Sequence, residues 1–308
     1  MNRSKENSKL DCLGMGIMPL DFLISIPQFP VKGGKVDATN LCIQGGGPIP
    51  NAMVGLSRQG FRTAVIAVIG DDMTGQISLN ELKKDKIDTS FIIQKKQPSA
   101  TAFGFVENRS GRRTIALHRR ITIQPRDLTL SRYPIPRILH LDGRDIGACL
   151  KLARWGKRVG ALVTFDIGSI RNDVTSVLPF VDHLIVADAF AFPYTGTRSV
   201  KKSLQRLAKI CPGTIVITRG TKGSVGFENG KLYRQKAFRV KAVDTTGAGD
   251  AFHVGYLYGL LEGKDISERL KLGSAVGALK CTQPGARAGM PTRRQLQRFL
   301  KNNPETYA

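Results

Sequence analysis

The sequence predicts an α/β protein: a mostly parallel central sheet covered by helices on both faces. Three observations carry that expectation. Short apolar runs of strand length recur along the 308 residues, and stretches of helical periodicity separate them. The runs are rich in Val, Ile and Leu without polar alternation, as befits strands buried on both faces. Glycine and proline punctuate the boundaries, with no internal repeat and no low-complexity linker. At 41% apolar residues the chain has enough material for one large core, so residues 1–308 are read as one domain.

Taken in order, LDCLGMGI at 10–17 is the first strand, ending in glycines. Pro48 to Gly60 reads as a helix closed by Gly60, RTAVIAVIG at 62–70 as one buried strand, and Met73 to Lys86 as a helix. RILHLDG, RVGALVTFDIG, VDHLIVAD and GTIVITRG supply four more buried strands, with amphipathic stretches at 145–157 and 197–210 between them. Asn229-Gly230 marks a hairpin turn. Helices follow at about 248–262 and 266–281. A ligand of such a sheet binds beyond the carboxyl ends of the strands. Two segments break the pattern, 19–45 and 97–118, both extended and rich in Gly, Pro, Thr and charge. SATAFGFVEN-RSG-RRTIALH reads as a hairpin. These segments are expected to form a small second sheet placed as a lid, the alternative being two surface excursions.

The net charge is +23, from 47 basic and 24 acidic residues. That balance favours acidic partners: nucleotides, phosphorylated metabolites, nucleic acid or anionic membrane surfaces. The basic residues are dispersed, densest at Arg109–Arg113 with Arg119 and Arg120, at Lys201-Lys202 and at Arg293-Arg294. No basic-aromatic stripe or zinc-finger spacing accompanies them, so most of the charge reads as solvated surface and no nucleic-acid partner is expected. Cysteines stand singly at 12, 42, 149, 211 and 281, without C-x-x-C or His/Cys ligand spacing. They read as core residues of a protein in a reducing, cytoplasmic compartment. The start, MNRSKENSKL, has no apolar signal core, and no run approaches the length of a membrane span.

The common nucleotide signatures fail. No G-x-x-x-x-G-K-[ST] occurs, Pro19 takes the third glycine position after Gly14-Met15-Gly16, and no protein-kinase set is present. Instead Asp244-Thr245-Thr246-Gly247-Ala248-Gly249-Asp250 opens an apolar helix. The first turn of a helix leaves backbone N–H groups unpaired at the positive end of the dipole, and glycines let an anion approach them. Asp250 beside that cradle is badly placed to bind phosphate but well placed to take a proton from a hydroxyl that attacks it. The bland alternative is an ordinary strand-to-helix turn. A second constellation, Gly45-Gly46-Gly47-Pro48-Ile49-Pro50-Asn51-Ala52, lets the backbone pass close to a ligand and puts Asn51 in a first helical turn, where its amide suits vicinal hydroxyls. Asp21, near Pro19, is a further hydroxyl acceptor candidate.

On these residues the chain resembles the ribokinase-like (PfkB-type) carbohydrate kinase family. DTTGAGDAF at 244–252 is similar to the family's second signature and GGGPIPNAMVGLSRQG at 45–60 to its first. Gly70 to Gly75, the Ser110 to Thr114 turn, Thr218-Arg219-Gly220 with Gly223, and Ala286 to Pro291 extend the resemblance over about 10–300. It implies a three-layer α/β/α domain of nine or so strands with a β lid, and transfer of phosphate from ATP, with Mg²⁺, to a primary hydroxyl of a small sugar or sugar derivative. It implies Asp250 as the base, with the N–H groups of Gly247, Ala248 and Gly249 as the anion hole. Asp21, Gly46 and Asn51 fall on sugar-binding positions, and Thr218, Gly220 and Gly223 on nucleotide-binding ones. Asp244 and Thr246, with the 285–289 loop, resemble a monovalent-cation (K⁺) site of some members. The family's Asn-x-x-Glu, which helps organise Mg²⁺, is replaced here by Ala187-Asp188-Ala189-Phe190. Arg113, Arg119 and Arg144 are candidates to reach a phosphate already on the substrate, or else solvated surface. An exposed lid edge offers a surface for a homodimer. Two alternatives remain at this stage: a nucleoside kinase, with Phe103 and Phe105 near the base, and a kinase-like nucleic-acid-binding protein of weakened catalysis.

Overall fold

The computed structural model describes residues 10–109 and 113–304. Six parallel strands form the body of the main sheet: β1 (Leu10–Met15), β4 (Thr63–Ile66), β9 (Pro136–Asp142), β10 (Leu162–Ile167), β11 (His183–Ala187) and β12 (Thr214–Thr218). Their order is β4-β1-β9-β10-β11-β12, and the antiparallel β13 (Ser224–Glu228) and β14 (Lys231–Gln235) extend the β12 edge. The β13–β14 connection is the expected Asn229-Gly230 turn, both residues at positive φ (50° and 77°).

Helices cover both faces. On one lie α3 (Ile146–Val159), α4 (Asp188–Thr195) and α5 (Val200–Leu207); on the other lie α1 (Pro48–Arg58), α6 (Ala248–Leu261) and α7 (Ile266–Cys281). Alternate strand residues feed the two layers. Leu13 and Met15 of β1 join the first core while Cys12 joins the second; Leu139 and Leu141 of β9 join the first and Ile138 the second. β9 and β10 break the pattern on the second side, where His140 and Thr164 are buried 2.8 Å apart; elsewhere each fully buried Leu or Ile contributes about 1.5–3 kcal/mol. Cys12, Cys149, Cys211 and Cys281 are buried and Cys42 is half-buried, in keeping with cysteines used as packing.

The 62–70 run departs from the expectation of one strand. Only β4 stays in the main sheet; β5 (Val68–Gly70) leaves to pair with β6 (Ile93–Lys95), just before and after α2 (Met73–Lys84). Beyond Met15 the neighbouring chain turns away, with Ile17 N–H donating to the Asp142 carboxylate across the sheet, so β5 has no partner there. The two irregular segments do make a second sheet, in the order β3-β2-β7-β8, from β2 (Leu20–Ile26), β3 (Asn40–Gly45), β7 (Thr101–Glu107) and β8 (Arg113–His118). The expected β7–β8 hairpin is present, and the tip of its Ser110–Thr114 turn lies outside the described residues. One face of this sheet exposes Leu41, Ile43 and Phe103, while Ile115 lies on the opposite face with Ala102 and Leu117. A last helix, α8 (Arg293–Asn302), begins with a Thr292/Gln295 capping box. Among the described residues no helix is long and apolar enough to cross a membrane.

Candidate active site

Two adjoining cavities open at the carboxyl ends of the parallel strands. One, about 380 Å³, reaches Asp142, Asp166, Ala187, Thr218 and Gly249. The other, about 560 Å³, is lined by Asp21, Ala102, Ile115 and Leu117 of the second sheet and by Asn51 of α1. Asp250 lines both, as do Pro48, Arg113, Arg144 and Arg171.

Asp250 sits in the first turn of α6, whose N-cap, Gly247, has φ 76°. A Cβ on Gly247 would stand 2.8 Å from the Ala286 Cβ, whereas one on Gly249 would meet nothing within 4 Å. The sequence reading expected the N–H groups of Gly247, Ala248 and Gly249 to face an anion. Ala248 is the exception: its N–H is turned to the Thr245 carbonyl at 3.2 Å, because the chain tightens into a turn before the helix. The N–H groups of Gly247, Gly249 and Asp250 have no acceptor among the described residues.

The Asp250 carboxylate accepts a hydrogen bond from Asn51 Nδ2 at 2.7 Å. Burial raises its pKa above the ordinary carboxylate range, the Asn51 bond opposes the rise, and the nearby Asp166 adds to it. Behind it, His253 Nε2 lies 3.1 Å from Asp166 Oδ1, and the His140 and His253 rings are 5.2 Å apart. Burial drives His140 down to about 3, so it is neutral. Sequence reasoning missed all three. His253 was findable, three residues after Asp250 on one helix face. Asp166 and His140 reach it only through the register of β10 on β9.

The sugar-side candidates converge. Gly46 has no side chain because a Cβ there would overlap the Asp21 carboxylate. Burial pushes Asp21 up to about 7, against the pull of Arg287. Arg287, 3% exposed, was also missed, although it lies in the Ala286–Pro291 segment. Its Nε donates to Asn51 Oδ1 (3.3 Å), Nη2 to the Gly46 carbonyl (3.2 Å) and Nη1 to Glu81 (3.2 Å). The Asn51 amide is thus held with its oxygen on Arg287 and its nitrogen on Asp250.

Of the nucleotide-side candidates, Thr218 lines the smaller cavity, while Gly220 and Gly223 lie outside both cavities in the β12–β13 turn. Gly223, at φ 80°, is needed where the chain crosses the Gln235 carbonyl. Thr246 lines the larger cavity. Asp244 accepts the N–H groups of Thr246 and Gly285, each at 2.8 Å. Lys280 was not anticipated. Its side chain is fully buried, and its Nζ donates to the carbonyls of Asp244 (2.7 Å) and Gln283 (3.4 Å), 3.9 Å from the Asp244 carboxylate. Lys280 therefore places an ammonium beside Asp244, one of the residues on which the resemblance implied a monovalent cation.

Ala187, the last residue of β11, lines the smaller cavity without a donor side chain, and Asp188 opens α4. Besides Asp250, the carboxylates lining that cavity are those of Asp142 and Asp166, a set that fits a hydrated Mg²⁺. His140, Asp166 and His253 also place ligand-type atoms within 4.8 Å of one another, but two nitrogen donors do not suit Mg²⁺. Arg113, Arg119 and Arg144 all line the larger cavity, joined by Arg171, which sequence reasoning missed.

Residues 12–293 match the profile of the pfkB family carbohydrate kinases. The chain is 28% identical to a ribokinase of Haemophilus influenzae over 94% of this chain and 97% of that one. It is 26% identical to a 5-dehydro-2-deoxygluconokinase of Clostridium perfringens, over 98% and 96%. In structure it superposes on an Arabidopsis thaliana ribokinase solved with ribose and ATP, with a TM-score of 0.80 and 21% identity, over 96% and 99% of the two chains.

Proposed function

Since the chain belongs to the pfkB family of carbohydrate kinases, which use ATP, we propose that it transfers the terminal phosphate of ATP to a primary hydroxyl of a small sugar, with Asp250 as general base. The observation that carries this reading is the shared position of Asp250, which lines both cavities at the head of a helix with unpaired N–H groups. The sugar lies in the larger cavity and the nucleotide phosphates approach through the smaller one. Asp250 takes the hydroxyl proton as the sugar oxygen bonds to the terminal phosphorus; the bond from that phosphorus to the bridging oxygen breaks, and ADP leaves. The N–H groups of Gly247, Gly249 and Asp250 offset the charge that develops on the transferred group. Asn51, locked by Arg287, holds the Asp250 carboxylate toward the acceptor, and Asp21 accepts a second sugar hydroxyl. Asp142 and Asp166 would hold Mg²⁺ through water, and the ion supplies charge neutralisation of the ATP phosphates. The Lys280 ammonium serves Asp244 in place of a monovalent cation.

A sugar is favoured over a nucleoside. Phe103 stacks on Phe22 (5.4 Å between ring centroids) and Phe105 packs on Phe29 (5.7 Å), and neither lines either of the two cavities at Asp250. The test is ADP release across ketoses, aldoses, sugar acids, sugar phosphates and nucleosides. Asp250→Ala should lower turnover about 10²–10⁴-fold while ATP binding survives. ADP release by that variant at the wild-type rate would sink the assignment.

A further inference from the structure

We propose that the acceptor sugar carries an anionic group, a phosphate or a carboxylate, away from the hydroxyl that is phosphorylated, and that Arg144 and Arg171 bind it. The proposal rests on the kinase reading above and names its substrate class.

Four guanidinium groups line the larger cavity: Arg113, Arg119, Arg144 and Arg171. Among the described residues its acidic side chains are Asp21 and Asp250. Arg119 is neutralised where it stands, with Nη2 2.6 and 2.5 Å from the two Asp145 oxygens. Arg113, Arg144 and Arg171 have no carboxylate within 4 Å among the described residues. Of the two acids that flank Arg144 along the chain, Asp145 is the one paired with Arg119, and Asp142 is already engaged: one oxygen accepts the Ile17 N–H (2.9 Å) and the other the Arg144 backbone N–H (3.1 Å).

Arg144 and Arg171 are a built pair. Asn172 Nδ2 donates to the carbonyls of Gly143 (2.9 Å) and Arg144 (3.0 Å), stapling the loop after β9 to the loop after β10. The staple holds two like charges together at the cavity. The pair also borders the smaller cavity, so the ATP phosphates are the competing anion; on the acceptor side a neutral polyol offers it no charge, whereas a carboxylate or phosphate accepts charge-assisted, bidentate hydrogen bonds from it. Arg171 is exposed, so the anionic end of the ligand sits at the cavity mouth and the reacting hydroxyl lies inside, at Asp250.

The experiment compares a hexose, its phosphate ester and the corresponding hexonate by ADP release, with wild type, Arg144→Gln and Arg171→Gln. Thermal melts check that the variants fold. The expected result is a kcat/KM at least tenfold higher for one anionic arm than for the neutral hexose, with the better arm separating phosphate from carboxylate. Each variant should collapse that ratio at least tenfold, mainly through the sugar KM, with the KM for ATP little changed. Equal use of neutral and anionic sugars overturns the proposal. So does a loss that is the same for all sugars or falls on the KM for ATP, which would assign the arginines to the transferred phosphate. If no arm gives Asp250-dependent ADP release, the kinase reading fails instead. Calorimetric titration of the two sugar anions into Asp250→Ala then decides the subsite: binding weakened tenfold by Arg171→Gln upholds it, and no difference overturns it.

Discussion

Replacing Lys280 with methionine keeps the bulk of the side chain and removes a buried charge from beside the anion-hole loop. At 3.9 Å from the Asp244 carboxylate, the gross attraction is about 4 kcal/mol at an effective dielectric of about 20. Two carbonyls, of Asp244 and Gln283, also lose their donor. Against this stands the desolvation of the ammonium, which methionine avoids, and Asp244 keeps its bonds from Thr246 and Gly285. The net loss should therefore sit below the full cost of stripping a buried pair, at roughly 2–3 kcal/mol. The consequence for rate follows from position. Asp244 and Thr246 lead directly into Gly247, and a shift of about 1 Å in an aligned site costs on the order of 10²-fold. The assay is ADP release with the best sugar, in potassium chloride and in tetramethylammonium chloride, each at ~0.15 M to equalise screening. Wild type should run equally in both. Lys280→Met should lose about 10–100-fold in tetramethylammonium and recover most of it in potassium, because the vacated carbonyls and carboxylate form a seat for a small cation. A wild type that needs potassium, or a variant whose deficit ignores the salt, would refute the reasoning.

Two further outcomes follow from the same geometry. Since burial raises the Asp250 pKa, kcat/KM should fall as pH drops through a value above the ordinary carboxylate range. A protonated Asp250 cannot accept the hydroxyl proton, so the loss is on the acid side. The Asn51 hydrogen bond favours the ionised form, so Asn51→Leu should move that acid limb to still higher pH; a limb that stays put or moves down would refute the assignment. Gly249→Ala and Gly247→Ala should separate function from folding. At 249 the methyl meets no protein atom and projects into open cavity space, so melting should be unchanged and turnover reduced. At 247 it faces Ala286 at 2.8 Å in a left-handed backbone, at a cost of about 1–3 kcal/mol visible in a melt.

How much was legible beforehand divides by range of interaction. The βα alternation, the β7–β8 and β13–β14 hairpins and the helix opening at Gly247 depend on apolar period and turn chemistry within a few residues. Asp250, Asn51 and Asp21 were legible as motif members, and the structure brings them to one cavity. The split of 62–70 was not, because it depends on where β1 stops offering a partner. The free N–H set was only partly legible: the turn that spends Ala248 on Thr245 is invisible in residue types.

The sequence by itself determined a sheet of doubly buried strands, a glycine-framed helix start and the carboxylate beside it, since these follow from side-chain period and local backbone freedom. Only the tertiary structure decided what surrounds that carboxylate. Arg287 reaches Asn51 across 236 positions, Asn51 reaches Asp250 across 199, and Asp166 lies behind them by strand register. Lys280 and the Arg144–Arg171 pair are of the same kind. A charge acts through distance and dielectric, and both are set by strand order and helix packing that no local pattern encodes.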